Sequence, residues 1–226
     1  MVRNNNIICI IQARIGSKRL PGKVMKLMLG KPMLENLVNN VIKSKYIQKL
    51  IIATSDCEEN NIIEELCRKL QISCFRGSEQ DVLSRFEEIN EKYKPKFIIR
   101  LTADNPFVDF NLIDFLVEET LAKYNHYDYI NNIENSGFPI GLYVEIFKGK
   151  KLKEIRPLKI KEDLEHVTTS FRNNKSLFKI VNIKTNHRFK YDNLTVDTLE
   201  EFKKAEKILL TLKRKNTIYN FKSLII

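Results

Sequence analysis

The chain has 226 residues, of which 43% are hydrophobic, with only seven Gly and six Pro. That excludes a collagen-like or low-complexity chain, and its first apolar run, Ile7–Ile11, is far short of the roughly 20 residues of a membrane span. Lys and Arg outnumber Asp and Glu by 39 to 28, a net charge of +11 that suits either a nucleic-acid partner or a local anion site.

Taken in chain order, apolar periodicity predicts short strands alternating with helices. Ile7–Ile11 reads as a buried strand, followed by a helix through Leu34, Leu37, Val38, Val41 and Ile42. Leu50–Ala53 is the next strand, Ile62–Leu70 the next helix, and Ile72–Phe75 a short strand. Val82–Tyr93 is helical, Phe97–Leu101 a strong strand, and Leu112–Leu121 a fourth helix. This alternation predicts an α/β domain with a mainly parallel, Rossmann-like sheet, covered on both faces, that binds ligands at the carboxyl ends of its strands. After Asp128 the pattern loosens. Strands are expected at Leu142–Phe147, Leu177–Lys184 and Leu194–Val196, with a helix at Lys161–Arg172 and a last one from Leu199 through Leu212. The whole chain, 1–226, reads as one domain, with 127–188 an insertion folded onto the sheet for acceptor binding or dimerisation.

Charge distribution favours the local anion site. No acid precedes Glu35, whereas Arg3, Arg14, Lys18, Arg19, Lys23 and Lys26 all do. Such a concentrated field suits a small polyanion. The basic cluster Lys203–Lys215 falls on a helical pattern and reads as a solvated face, and no basic block is interleaved with aromatics as in an RNA-binding sheet. Cys9, Cys57, Cys67 and Cys74 form no C-x-x-C pair, so reduced, mostly buried thiols are expected rather than a zinc site. The N-terminus leads into its short apolar run without a cleavage site, so a cytoplasmic protein is expected.

The first strand ends in Gln12-Ala-Arg-Ile-Gly-Ser-Lys-Arg-Leu-Pro-Gly-Lys23. This is not a Walker A spacing, but the physics is related. Gly16 and Gly22 permit close backbone approach, Ser17 offers a hydroxyl, and Arg14, Arg19 and Lys23 supply charge to wrap a triphosphate. As charges on an exposed loop, Arg14 and Lys23 are expected to serve binding and not stability.

At A-R-x-G-S-x-R-L-P-G-K the sequence resembles the sugar-acid cytidylyltransferases, which make CMP-linked 3-deoxy-manno-octulosonate and CMP-sialic acids. It is most similar to their spore-coat polysaccharide branch. The branch's pattern recurs at Ala53–Asp56, Arg76–Arg85, Arg100–Pro106, Glu165–Thr168 and Thr195–Thr198. The resemblance spans roughly Ile7 to Leu209 and implies a GT-A-like nucleotidyltransferase fold, CTP and Mg²⁺ as substrate and cofactor, a sugar-acid acceptor, no nucleic-acid or membrane partner, and a homodimer. It implies that Asp104 and Asp197 bind the metal and that Arg14 and Lys23 join them in catalysis. Gln12, Ala13, Gly16, Ser17 and Arg19 would hold the nucleotide, with Gln12 reading the pyrimidine. Thr54, Asp56, Arg76, Asp81 and Arg85 would lie beside base and ribose. Glu145, Glu165 and His166 would face the acceptor.

Bland readings stand beside these. Asp104 also suits a turn or N-cap before Pro106, Asp197 an N-cap of the last helix, and Arg76–Arg85 a strand end with an ordinary helix start. Three residues depart from the branch: Ala103 for a usual Gly, Tyr143 for a frequent Asp and Asn193 for a common Arg. A nucleotidyltransferase using another base, or a sugar-phosphate or phosphonate acceptor, is the enzymatic alternative. A basic nucleic-acid-binding module is the alternative of another class.

Overall fold

A computed structural model describes residues 6–158, 166–214 and 220–226, with side chains described up to Leu212 in the last helix. Seven strands form one sheet in the order β5-β4-β1-β6-β8-β7-β9. β1 (Ile7–Gln12), β4 (Lys49–Ser55), β5 (Ser73–Gly77) and β6 (Phe97–Thr102) are mutually parallel. β8 (Glu145–Lys148) then runs antiparallel to both β6 and β7 (Tyr129–Asn131), and β9 (Ile180–Asn182) is parallel to β7. The stretch 127–188 therefore supplies three strands that extend the sheet in its own plane.

β1 shows why the sheet is buried on both faces. Its Ile-rich run suits a strand without a solvent side. Ile7, Cys9 and Ile11 enter one core with Leu34, Leu37, Ile63, Leu112 and Leu116. Ile8 and Ile10 point into the other, with Leu83, Phe86, Phe147 and Phe171. The first face is covered by α1 (Met33–Val41), α2 (Asn61–Lys69), α4 (Phe110–Ala122) and α7 (Leu199–Arg214), and the second by α3 (Val82–Tyr93), α5 (Leu152–Ile155) and α6 (Thr169–Asn173). Asp81 and Asp109 cap α3 and α4 by accepting from Ser84 N–H and Leu112 N–H, both at 3.0 Å. Along α7, Phe202, Ala205 and Ile208 are buried while Lys203, Lys204 and Lys207 are exposed, as expected of a solvated basic face.

Several expected elements come out differently. The strand expected at Leu142–Phe147 is shifted to β8, and that at Leu177–Lys184 shortens to β9. The helix expected at Lys161–Arg172 lies partly outside the described residues, and its described end is the short α6. The small hairpin β2 (Leu27–Met28) and β3 (Lys31–Pro32) was not expected; Leu29 and Gly30 turn it at φ 53° and 83°, the two positive values that a type I′ turn needs. Of the cysteines, Cys9 and Cys67 are buried, Cys74 is half-buried and Cys57 is exposed.

Leu194–Val196 is no ladder strand. It is an extended strap pinned at both ends by backbone bonds: Leu194 N–H to Ile140 C=O at 2.7 Å, and Val196 N–H to Asp104 C=O at 2.9 Å. The strap passes so close to Gly141, at φ 95°, that a Cβ there would meet Thr195 N at 2.5 Å. Gly141→Ala should therefore cost about 2 kcal/mol or more from strain and overlap, seen as a lowered Tm. An unchanged Tm would show that the strap can move aside freely.

Candidate active site

The register sets the site. Gln12 at the end of β1 lies beside Ala53 of β4 and Thr102 of β6, so three parallel strands end together. The loop after β1 rises from this point, and Asp104 follows β6 two residues on. Arg14, Ser17, Arg19 and Lys23 of the loop share one cavity of about 490 Å³ with Asp104 and Asp197. Gln12, Ala13 and His166 also line it. So do Lys18, Arg100 and Thr102, to which the sequence reading had given no role in binding. A larger cavity, about 620 Å³, lies against β9 and α6. None of the loop cations and neither of these aspartates faces it, so volume is a poorer guide here than chemistry.

Lys23 is the hinge of the arrangement. Its Nζ lies 2.8 Å from Asp197 Oδ1 and 3.2 Å from Asp104 Oδ2, and donates to Val196 C=O at 2.9 Å. Arg19 adds a second cation, 2.8 Å from Asp197 Oδ2. The expectation that Lys23 is an exposed loop charge is therefore wrong: only a tenth of its side chain is exposed, because the loop folds back over the strap. Neither aspartate caps a helix, although Asp104 does lie in the turn after β6. Thr198 and Glu201 form a reciprocal capping box at the start of α7, with Thr198 N–H to Glu201 Oε2 at 2.9 Å and Glu201 N–H to Thr198 Oγ1 at 3.2 Å. Asp109 performs that service for α4. Both Asp104 and Asp197 are left facing one ammonium.

The departures are accommodated locally. Ala103 is buried without a positive φ, its N–H bonded to Gln12 C=O at 3.0 Å, so the turn needs no glycine. Asn193 braces the strap, accepting from Thr195 N–H at 2.9 Å and donating to Glu201 at 3.3 Å. Tyr143 is half-buried, and that burial pushes its hydroxyl pKa up.

Other sequence candidates do not line this cavity. Gly16 is exposed on the loop. Thr54 is fully buried, and Asp56 is exposed with its N–H on Gly77 C=O at 2.9 Å. Arg76 ties down the loop after β4 through Cys57 C=O at 2.9 Å and Glu64 at 2.8 Å. Arg85, 1% exposed, holds Ser78 C=O at 2.7 Å and Glu79 C=O at 3.2 Å. Asp81 caps α3 and pairs with Arg156 at 2.6 Å. Arg14 joins this layer to the loop through Glu79 at 3.0 Å. Burial raises the Glu79 carboxyl, but Ser55 and Arg14 outweigh it and hold the group below the usual carboxylate range. Glu145 is buried, and Glu165 lies outside the described residues.

A family model described as cytidylyltransferase matches residues 8–224. The chain belongs to the cytidylyltransferase family. It is 40% identical to the spore coat polysaccharide biosynthesis protein SpsF of Bacillus subtilis, over 88% of this chain and 84% of that one. Among solved structures, a cytidylyltransferase from Leptospira borgpetersenii superposes with a TM-score of 0.84 at 24% identity, covering 95% of this chain and 96% of the other. A CMP:2-keto-3-deoxy-manno-octonic acid synthetase complexed with CTP gives 0.69 at 14% identity, covering 91% and 98%. These likenesses establish the nucleotidyltransferase fold expected from the sequence.

The ammonium clasp has a measurable consequence. Lys23→Met keeps the packed stem but leaves the two aspartates facing each other, which should cost about 1 kcal/mol, the low end for a lost charged partner because water reaches both carboxylates. Thermal denaturation should show the loss, and millimolar Mg²⁺ should recover part of it. Unchanged stability would show that Lys23 is not a clasp.

Proposed function

We propose that the chain is a CTP-dependent cytidylyltransferase that activates a sugar acid, or a related sugar, to a CMP-sugar with release of pyrophosphate. The observation that carries this reading is the pair of carboxylates, Asp104 and Asp197, gathered on one ammonium in a cavity whose other wall is a cationic loop. The named role of SpsF supports a place in the synthesis of a surface polysaccharide or glycan.

In this reading Arg14, Ser17 and Arg19 hold the triphosphate through charge-assisted bonds, while Lys23, its three protons already donated to Asp104, Asp197 and Val196, adds its charge beside them. The acceptor's hydroxyl oxygen bonds to the α-phosphorus and gives up its proton to water, the bond from that phosphorus to the bridging oxygen breaks, and pyrophosphate leaves with the bridging oxygen. Such transfer depends on alignment and charge neutralisation, and no side chain need become a covalent nucleophile. The donor set fits Mg²⁺. Two hard carboxylate oxygens already face a cation, and Mg²⁺ takes few protein ligands beside phosphates and water. Asp104 and Asp197 would hold it, and it would offset phosphate charge.

The loop cations line a concave cavity, which supports a small polyanion over a nucleic-acid strand as ligand. In this reading the protein acts in the cytoplasm. No helix among the described residues is long and apolar enough to cross a membrane.

The test is pyrophosphate release from each of the four NTPs with a panel of sugar acids and sugar phosphates. CTP with a sugar acid should be strongly preferred. A preference for another NTP, or for a sugar phosphate or phosphonate, would overturn the assignment. Asp104→Asn should fold, retain weak CTP binding and lose about 10²-fold or more in kcat, while Asp197→Asn should raise the Mg²⁺ needed for half-maximal rate. An unchanged Mg²⁺ dependence in both would remove them from the metal site.

The same reading includes a homodimer formed through 127–188, the part of the chain that also serves acceptor binding. Light scattering at micromolar concentration should give about twice the chain mass. A monomer at and above that concentration would refute the dimer.

A further inference from the structure

Arg100 on β6 and Glu145 on β8 are register partners across an antiparallel pair, and their side chains form a buried ion pair. Glu145 is 4% exposed and Arg100 9%. Glu145 has four donors for two oxygens. Oε2 accepts from Arg100 Nη1, while Oε1 accepts from Tyr129 Oη at 2.5 Å, Arg172 Nη1 at 3.1 Å and Thr168 Oγ1. Burial pushes its carboxyl pKa up, but the Arg100 and Arg172 guanidiniums, with the Thr168 and Tyr129 hydroxyls, reverse this and hold it below the usual carboxylate range. It is thus an ionised group with its oxygens already occupied, and a poor contact for any substrate.

What Glu145 does is hold Arg100. The guanidinium lines the catalytic cavity, and its Nη2 donates to Gln12 Oε1 at 3.0 Å. Its Nε is buried with no hydrogen-bond partner among the described residues. Arg100 shares its one carboxylate with Arg172, which also has Glu134 near it and faces the cavity beside β9; Arg100, buried in the wall of the other cavity, is thus left with positive charge that an anion there would meet. CTP does not obviously supply that anion. Its charge lies in the triphosphate, for which the loop provides Arg14, Lys18, Arg19 and Lys23 in the same cavity. Base and ribose are neutral. The remaining anion is on the second substrate, and a planar fork on a fixed support suits a carboxylate.

We propose that Arg100 recognises the carboxylate of the acceptor, and that Glu145 is a positioning residue acting through Arg100 rather than an acceptor contact. The proposal rests on the cytidylyl-transfer reading above and deepens it.

The test uses the full-length enzyme, the sugar acid that the wild type consumes best, and the primary carboxamide of that sugar. Wild type should prefer acid to amide by about tenfold or more, the scale of one charge-assisted bond. Arg100→Gln should raise KM for the acid by a similar factor, abolish the preference over the amide, and leave KM for CTP within about twofold. Glu145→Gln should reproduce that pattern, and should add nothing in the Arg100→Gln background. If Glu145→Gln fails to fold, Glu145→Asp replaces it, with a smaller rise in acceptor KM that again vanishes in the Arg100→Gln background. A rise in KM for CTP in Arg100→Gln, or a retained preference for the acid, would overturn the role of Arg100. Additive effects of the two positions would overturn the positioning role. A wild type that consumes no sugar acid would overturn the transfer reading itself, a failure visible before any variant is made.

Discussion

The Lys23 ammonium gathers groups that are 81, 173 and 174 positions away in sequence: the carboxylate after β6, a main-chain carbonyl of the strap and the carboxylate that follows it. An ammonium in this position satisfies three oxygens that would otherwise repel or go unpaired, and its own burial is tolerable only because they surround it. The loop after β1, the end of β6 and the strap are consequently placed with respect to one point. The Val196–Asp104 and Leu194–Ile140 backbone bonds and the close approach at Gly141 fix the strap that this clasp requires. The cavity is what remains between the clasp and the strand ends.

Around the clasp the residues fall into two layers. Arg14, Arg19, Asp104 and Asp197 face the cavity where water and ligand can reach them, and Lys23 is buried among them. Arg76, Arg85, Asp81 and Glu79 stand behind, where their charges meet backbone carbonyls, a helix cap and the side chains of Glu64, Arg156 and Arg14. This second layer shapes the neighbouring loops without lining the cavity. Arg14 connects the two, since its partner Glu79 belongs to the segment that Arg85 holds.

The sheet is divided in a corresponding way. Its parallel half carries the cationic loop on β1, while the antiparallel join of β6 to β8 carries the Arg100–Glu145 pair. An antiparallel neighbour makes such a pair practical. It places residue 145 directly opposite residue 100, so two long side chains meet on one face with little freedom left to lose. Arg172 reaches the same carboxylate from α6, which ties the extension of the sheet to the wall of the cavity.

The sequence by itself determined the α/β alternation, because β1, β4 and β6 each hold a dense Ile- and Leu-rich run and the covering helices carry apolar residues at helical spacing. It also determined the cationic loop, whose charges lie within ten positions of one another and whose motif is specific to a family. The resemblance alone marks Asp104 and Asp197 as metal candidates, since a lone aspartate after a strand also reads as a cap; the structure gives the caps to Asp109 and to the Thr198–Glu201 box and puts both aspartates on the cavity. Tertiary structure alone decided that Lys23 is buried, that Glu145 is occupied, that Arg76 and Arg85 brace loops, and that Arg100 lines the cavity. The physical reason is common to all four. A charged side chain carries no mark in sequence of whether its partner will be water, a ligand or another residue, and that partner is chosen only when strands far apart in the chain come into register.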